Sequence, residues 1–334
     1  MNYMNSMNIE KSVLIIILFI GISVLYKKIN TQENQRNNKY YNSMIENYLL
    51  NKDSFGFPYK PILWVYLQND SQSCSAVNDR FWTNFGSRNT SNFNQPYQIY
   101  TIQSILKHCS NDFNICLIDD TAFNILLPEW TIELSHVAQP MKHHMQILAL
   151  TSLIHNYGGM CIPSSFVCFK SLKPLYEQSI QENKLVVGQL QNTISNENLQ
   201  KMTIASPIFM AASSNNPTLQ AFHNYLLYLN KNDLTRTQDF LGLSSEWLEI
   251  KIQSNEIISI CGCKLGVQRQ DKTLVYPEDL LSSCYIEFDK EAYGIYIPWE
   301  QFINRANLQW FVKLTPEEVL TSNTILAKHL LIHQ

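Results

Sequence analysis

The stretch MKHHMQILALTSLIHNYGGMCIPSSFVCFKSLKP, from Met141 to Pro174, decides how the rest of the chain is interpreted. Its first half places apolar residues along one broad side of a predicted helix, and Gly158 stands where that helix would end. A short predicted strand pair follows and ends at Pro174. The stretch therefore predicts a helix, a Gly-Gly corner and two strands in immediate succession.

Short β-prone runs surround this segment and alternate with helical stretches. The runs lie at 62–67, 98–102 and 114–118 before it, and at 184–188 and 206–211 after it. Alternating strands and helices are typical of an α/β domain with a mostly parallel sheet. Ligands of such sheets bind at the carboxyl ends of the strands, and Asp119 and Asp120 follow the run at 114–118.

Besides a helical segment at 104–108 and a short helix near 41–50, three further helices are predicted. One lies at 77–85, and a second covers 217–229 with Pro217 near its first turn. The third, at 315–329, opens with Thr315 as its N-cap, Pro316 at its first position and Glu318 two positions later. That order of residues is a capping box, in which the Thr and Glu side chains each accept a backbone N–H.

Composition excludes some classes of function. The 334 residues carry a formal net charge of −3 and a pI near 6.2, so we expect no nucleic-acid partner. Eight cysteines contain no Cys-x-x-Cys pair, and Cys261-Gly262-Cys263 is too close for the usual zinc knuckle. Several cysteines lie within apolar runs, so we interpret most of them as reduced, buried thiols.

The N-terminal region contains one long apolar run, from Ser12 to Tyr26. A helix of that length spans about 22 Å, which is less than the ~30 Å hydrocarbon core of a bilayer. A cleaved signal peptide is one interpretation, since Gly21-Ile22-Ser23 is a weak cleavage site. We favour an uncleaved single-pass anchor at 12–28, because Glu10 and a single basic residue make a poor signal-peptide start and Lys27 and Lys28 can snorkel.

The predicted organisation is a tail at 1–11, a membrane anchor at 12–28, a stem or linker at 29–60, and one folded domain at 61–334. The sidedness of the membrane protein stays open. Basic residues after the span favour a cytosolic domain, whereas the resemblance described next favours a luminal one.

The pattern PILWVYL … IYTIQS … ICLIDD … ILALTSLIHNYGGMCIPSSFVCFKSLKPL, from Pro61 to Leu175, resembles the donor half of a GT-A glycosyltransferase fold. It is most similar to the capsular-polysaccharide-synthesis and Och1-like sugar-transferase groups, and Tyr157-Gly158-Gly159 is its most specific part. The Pro163-Ser164-Ser165 corner also resembles proteins of large DNA viruses. The resemblance implies an α/β, GT-A-like (nucleotide-diphospho-sugar transferase) domain with a mixed, mostly parallel sheet flanked by helices, preceded by one transmembrane helix.

The resemblance also implies a metal site whose acidic residues this chain lacks. In the family, an Asp-x-Asp holds a divalent cation that neutralises the diphosphate of the nucleotide sugar. Here Pro163-Ser164-Ser165 stands in that place, and Ile147 and Leu150 replace the Asp and Arg of the preceding helix. Neutral hydroxyls do not replace two carboxylates. We therefore expect no metal cofactor, and Mn²⁺ or Mg²⁺ only if other residues rescue the site.

Several other polar or glycine positions are candidates for binding a nucleotide sugar or glycan. They are Asp119, Asp120, Lys142, His143, Gly158, Gly159, Ser164 and Ser165. The two Asp residues either supply carboxylates or cap a helix, and Lys142 and His143 either meet a diphosphate or form a solvated first turn. The glycines allow a close approach of backbone to ligand. No catalytic residue is identified.

Three functions remain open. The first is a membrane-anchored glycosyltransferase-like protein that has lost ordinary metal-dependent sugar transfer. The second is an active glycosyltransferase that works without a metal, with Lys142, His143 or Asp120 in adapted roles. The third is a non-catalytic structural or interaction protein whose pocket is filled by side chains.

Overall fold

A six-stranded sheet forms the centre of the fold. The computed structural model describes residues 60–67, 95–127, 130–193, 201–231 and 237–334. Its strands are β1 (Ile62–Tyr66), β2 (Asn114–Ile118), β3 (Gly159–Pro163), β4 (Phe166–Cys168), β5 (Leu185–Gln191), β6 (Thr203–Ala212), β7 (Ile257–Ile260) and β8 (Gly294–Tyr296). The main sheet has the order β2-β1-β3-β6-β5-β7, and β4 pairs with β8 in a small separate sheet.

The main sheet is mixed but mostly parallel. The strand pairs β1–β2, β1–β3 and β5–β7 are parallel, whereas β6 is antiparallel to both of its neighbours, β3 and β5. Five of its six described strands therefore run in one direction. The predicted α/β class with a mostly parallel sheet is confirmed.

Helices flank the main sheet. They are α1 (Gln98–Cys109), α2 (Ala122–Leu126), α3 (Met141–Tyr157), α4 (Lys173–Glu182), α5 (Pro217–Lys231), α6 (Thr237–Gln253), α7 (Pro277–Leu281), α8 (Trp299–Asn304), α9 (Gln309–Val312), α10 (Pro316–Thr321) and α11 (Ile325–His333). Residues Pro58–Gln334 group together as one compact unit.

Both faces of the sheet are covered, which explains why its central strands are apolar throughout. On β1, Leu63 and Val65 belong to a core cluster that also contains residues of α1 and α4. Trp64 alternates with them, and its ring lies 5.9 Å from that of Tyr157 at the end of α3. Full burial of side chains of this kind contributes about 1.5–3 kcal/mol each.

A second apolar cluster joins the small sheet to the C-terminal helices. Its buried members include Tyr97, Ile295, Phe302, Phe311 and Leu326. Phe302 and Phe311 therefore build core here. Other aromatic residues of the C-terminal half are exposed, among them Tyr285 at 82% and Trp310 at 44%.

The predicted strand at 98–102 is wrong, because these residues open helix α1. The helix buries Gln98, Thr101, Ser104, Ile105 and Cys109, which recur at helical spacing. Three of these five are polar, so an apolar pattern could not reveal the buried face. They are tolerated in the interior because they form hydrogen bonds there.

The predicted capping box at Thr315 is confirmed. The Thr315 hydroxyl accepts a hydrogen bond from the Glu318 amide, and the Glu318 carboxylate accepts one from the Thr315 amide. The helix is shorter than predicted, since it ends at Thr321 and a new helix begins at Ile325 with Thr324 as its N-cap.

No helix among the described residues is long and apolar enough to cross a membrane. The predicted anchor at 12–28, most of the stem at 29–60 and the predicted helix at 77–85 lie outside the described residues. They stay predictions.

Candidate functional site

Four side chains meet at the carboxyl ends of β1 and β2, and we call them the edge cluster: Tyr66, Asp120, Lys142 and Gln146. The Lys142 ammonium lies 2.9 Å from one carboxylate oxygen of Asp120. The other oxygen accepts hydrogen bonds from the Tyr66 hydroxyl at 2.5 Å and from the Gln146 amide at 2.9 Å. The structure thus brings together two sequence-predicted site residues, Asp120 and Lys142.

Lys142 is a buried cation in the first turn of α3, with 8% of its side chain exposed. A buried charge must be paired, and a positive charge is unfavourable near a helix N-terminus. Asp120 offsets both costs, because its carboxylate neutralises Lys142 and lies beside the same helix turn. The alternative of a solvated helix start therefore does not describe Lys142.

Asp119 has a different role from its neighbour. Its carboxylate accepts hydrogen bonds from the Thr121 amide at 3.0 Å, the Thr121 hydroxyl at 2.6 Å and the Ala122 amide at 3.1 Å. These bonds hold the turn that opens α2. Asp119 thus supports the local backbone, while Asp120 belongs to the edge cluster.

Tyr66 and Gln146 were not predicted. The pKa of Tyr66 is raised well above its usual value, mainly because the ring is buried and also because Asp120 is close. Tyr66 therefore stays protonated at neutral pH and donates a hydrogen bond to Asp120. Parallel strands end at the same edge, so the last residue of β1 could have been placed beside Asp120 from the strand prediction alone.

The two histidines that follow Lys142 are neutral at physiological pH. Burial lowers the pKa of His143 to about 4, against a weaker opposing effect of Gln146. The pKa of His144 is also lowered to about 4, by burial first and then by His143. His144 stacks on Phe240 of α6 with ring centroids 3.9 Å apart, so it packs the helix rather than facing a ligand.

A small cleft lies at the same edge of the main sheet and encloses about 90 Å³. Its polar lining includes His143, Gln191, Ser206, Glu300 and Gln301. The Nε2 atom of His143 is buried and has no hydrogen-bond partner within the described part of the chain. Pockets for drug-sized ligands usually measure about 300–1,000 Å³, so this cleft holds a whole nucleotide sugar only if it opens.

Ser164 and Ser165 also lie at this edge, but both are fully buried. The Ser164 amide donates to the Tyr66 carbonyl at 2.9 Å, and the Thr101 hydroxyl donates to the Ser164 carbonyl at 2.5 Å. The Ser165 carbonyl accepts a hydrogen bond from the Ile297 amide at 2.8 Å. The corner that replaces Asp-x-Asp is therefore hydrogen-bonded to β1, to α1 and to the segment after β8.

Gly158 and Gly159, which we call the glycine corner, lie at the opposite, amino end of β3. Both have positive φ, at 71° and 103°. A Cβ on Gly159 would lie 2.4 Å from the Ile62 carbonyl oxygen, and one on Gly158 would lie 2.8 Å from the Ser214 amide. The absence of a side chain at these glycines lets the backbone of Ile62 and Ser214 lie close to them. The structure does not bring the glycine corner to the edge cluster.

Among the described residues, the side chains at this end of the sheet do not fit a divalent cation. Mg²⁺ and Mn²⁺ favour several carboxylate or carbonyl oxygens at one point. Asp120 is already neutralised by Lys142, Asp119 is occupied by the α2 turn, and the serines are buried. Within the described ranges, no three His, Cys, Asp or Glu side chains converge as metal ligands.

No protein-family model matches the chain. No curated protein matches it either. Among solved structures, the chain is similar to the glycosyltransferase GlyE from Streptococcus pneumoniae TIGR4, with 11% sequence identity and a TM-score of 0.34. The match covers 61% of this chain and 46% of that one. The chain thus spans less than half the length of GlyE, and the two proteins are similar only at a distance.

Proposed function

We propose that residues 61–334 form a glycosyltransferase-like domain that binds a nucleotide sugar or glycan and lacks ordinary metal-dependent sugar transfer. The supporting observation is the ion pair between Asp120 and Lys142 at the carboxyl edge of a mostly parallel sheet. Ligands of such sheets bind at this edge. A metal enzyme would need unpaired carboxylates there, whereas this chain has an internally neutralised pair.

The edge cluster favours an anionic ligand over a cation. Lys142 is already present as a positive charge, and a diphosphate could compete with Asp120 for it without any metal. The neutral His143 lines the cleft, and its buried Nε2 atom has no hydrogen-bond partner among the described residues. Binding of this kind has a cost, because it weakens an existing ion pair, and we therefore expect modest affinity.

Calorimetric titration with UDP- and GDP-sugars, with and without Mn²⁺, tests the proposal. We expect binding of the same affinity under both conditions and no Mn²⁺-stimulated release of nucleoside diphosphate. Mn²⁺-dependent binding with turnover would contradict it. Turnover that needs no Mn²⁺ would instead identify an active metal-independent transferase.

A second candidate function is a non-catalytic protein with a filled pocket. The observations that favour it are the small volume of the cleft and the complete burial of Ser164 and Ser165. Absence of binding to any nucleotide sugar, with or without Mn²⁺, would support this candidate and reject the first.

Membrane anchoring through 12–28 is part of the same proposal. Its support is the apolar run from Ser12 to Tyr26. The test is alkaline extraction of membranes from cells that express the full chain or a variant lacking residues 1–28. We expect only the full chain to stay with the membrane pellet, and equal extraction of both would contradict anchoring. A glycosidase-induced gel shift would place the domain in the lumen.

A further inference from the structure

Two thiols lie unusually close together in the turn that follows β7. The sulfur atoms of Cys261 and Cys263 are 2.7 Å apart. Both residues are present as free thiols, and both are partly exposed. Unbonded sulfur atoms normally stay much farther apart, as they do between Cys109 and Cys168, at 3.7 Å. The turn therefore holds two reactive groups nearly at bonding distance.

Backbone hydrogen bonds fix the shape of this turn. The Lys264 amide donates to the Cys261 carbonyl at 2.9 Å, which closes a tight turn over the two cysteines. The Gly262 carbonyl between them accepts a hydrogen bond from the Val267 amide, also at 2.9 Å. These two bonds hold the backbone of Cys261 and Cys263 in a fixed turn, so only rotation of the side chains changes the distance between the sulfur atoms.

We propose that Cys261 and Cys263 form a reversible disulfide within this turn. The reaction is thiol–disulfide exchange with a low-molecular-weight disulfide such as oxidised glutathione. One cysteine attacks and forms a mixed disulfide, with release of one reduced glutathione. The second cysteine then attacks the protein-side sulfur and releases another. The two thiols lose two protons and two electrons, and one disulfide of the oxidant becomes two thiols.

The disulfide is favoured by the short distance between the two sulfur atoms and not by a low pKa of the Cys263 thiol. A disulfide has an S–S length of about 2.04 Å, so the sulfurs need only a small side-chain rotation to reach it. The pKa of the Cys263 thiol is raised to about 11, because burial disfavours the thiolate and Cys261 is adjacent. Cys263 is thus no pre-activated nucleophile, and its advantage is the position of its partner.

The site differs from the other cysteines of the described chain in combining proximity with access. Cys109 and Cys168 are both fully buried in the core between α1 and β4. Cys284 is exposed and serves as a control for simple thiol reactivity. The turn also lies against Gln189 and Thr203, whose neighbours Leu190 and Ile204 line the cleft.

Tryptic mapping tests the proposal, because both cysteines fall in one peptide, 252–264, which contains no other cysteine. The full chain is incubated with oxidised glutathione, denatured, alkylated and digested. We expect this peptide to be unalkylated and lighter than its reduced form by two hydrogen atoms, and to be alkylated twice after dithiothreitol. The peptide 273–290, which contains Cys284, should carry a glutathione or an alkyl group.

A Cys263→Ser variant provides the matched control. Its Cys261 should accumulate as a glutathione adduct, because the resolving thiol is missing. Full double alkylation of the oxidised wild-type peptide would overturn the proposal. So would stable glutathione adducts on the wild-type pair, or linkage of either cysteine to a different peptide.

Discussion

The two ends of α3 behave in opposite ways. At its C-terminal end, the glycine corner is enclosed by the backbone of β1 and the segment after β6, with no room for even one methyl group. At its N-terminal end, Lys142 and Gln146 reach into the edge cluster, where charged and polar side chains meet beside a cleft. The end with the most recognisable sequence motif is thus closed by neighbouring backbone, and the charged and polar side chains meet at the other end.

Gly159→Ala should cause the largest loss of stability. The new Cβ would meet the Ile62 carbonyl at 2.4 Å on a backbone with φ of 103°, and neither neighbouring strand can shift freely. We expect a loss of about 3 kcal/mol or more in the free energy of unfolding, or no folded protein. Gly262→Ala is the control, since its closest contacts are 3.2 Å or longer and it should cost much less. Equal losses would show that the corner is not sterically closed.

Lys142→Met should have the next largest effect, at the other end of the helix. Removing one partner of a buried ion pair commonly costs about 3–5 kcal/mol. Asp120 keeps 22% exposure and two hydrogen-bond donors, so we expect about 2 kcal/mol by chemical denaturation. Lys173→Met is the matched control, because its ion pairs are half-exposed and should contribute less than about 1 kcal/mol. Similar losses of unfolding free energy in both variants would mean that the ion pair between Lys142 and Asp120 is solvated.

The stability of the N-terminal end of α3 should depend on pH. The pKa of His143 is lowered from 6.5 to about 4, so the fold favours the neutral ring. This contribution is fully present above pH 6.5 and is lost as the pH falls towards 4. His143→Gln should weaken the pH dependence of the unfolding free energy over that window, and His144, whose pKa is also lowered to about 4, should account for part of what remains. An unaltered pH profile in His143→Gln would contradict a contribution of this histidine to the pH dependence of stability.

The smallest effect is expected for Asp119→Ala. It removes the carboxylate that accepts from Thr121 and Ala122, a loss comparable with that of a helix cap, about 1 kcal/mol. Nucleotide-sugar binding should not change, because Asp119 lies outside the edge cluster. Thermal unfolding and calorimetry on the same preparation check both statements. Weaker binding in this variant would extend the site to Asp119.

The sequence predicted the strand at 62–67 and the helix of the opening stretch because their apolar residues are buried. It also predicted the strand at 114–118 from an apolar run, although in this outer strand of the sheet only Ile118 is buried. It failed at 98–102, where the buried face of α1 is polar and satisfied by hydrogen bonds. It found Asp120 and Lys142 but could not pair them, since they are brought together by the sheet edge and a helix start far apart in the chain. The position of Tyr66 beside Asp120 could have been predicted, because Tyr66 ends a strand that is parallel to the one before Asp120.

The most recognisable motif was also the one whose role was misplaced. Tyr157-Gly158-Gly159 suggested a backbone that approaches a ligand, but the space around these glycines is filled by β1 and by the Ser214 backbone. Sequence spacing identified the need for glycine at this point. It could not distinguish a ligand from a neighbouring strand, because either of them can approach the backbone closely only where the residue has no Cβ.

Calorimetry of UDP binding by wild type, Asp120→Asn and Asp119→Asn, each with and without Mn²⁺, tests the central claim most directly. If the edge cluster is a metal-free anion site, wild-type affinity will not respond to Mn²⁺. Asp120→Asn, which removes the charge competing for Lys142, will then bind several-fold more tightly, and Asp119→Asn will match wild type. Binding that requires Mn²⁺ and disappears in Asp120→Asn would make Asp120 a metal ligand and contradict the account.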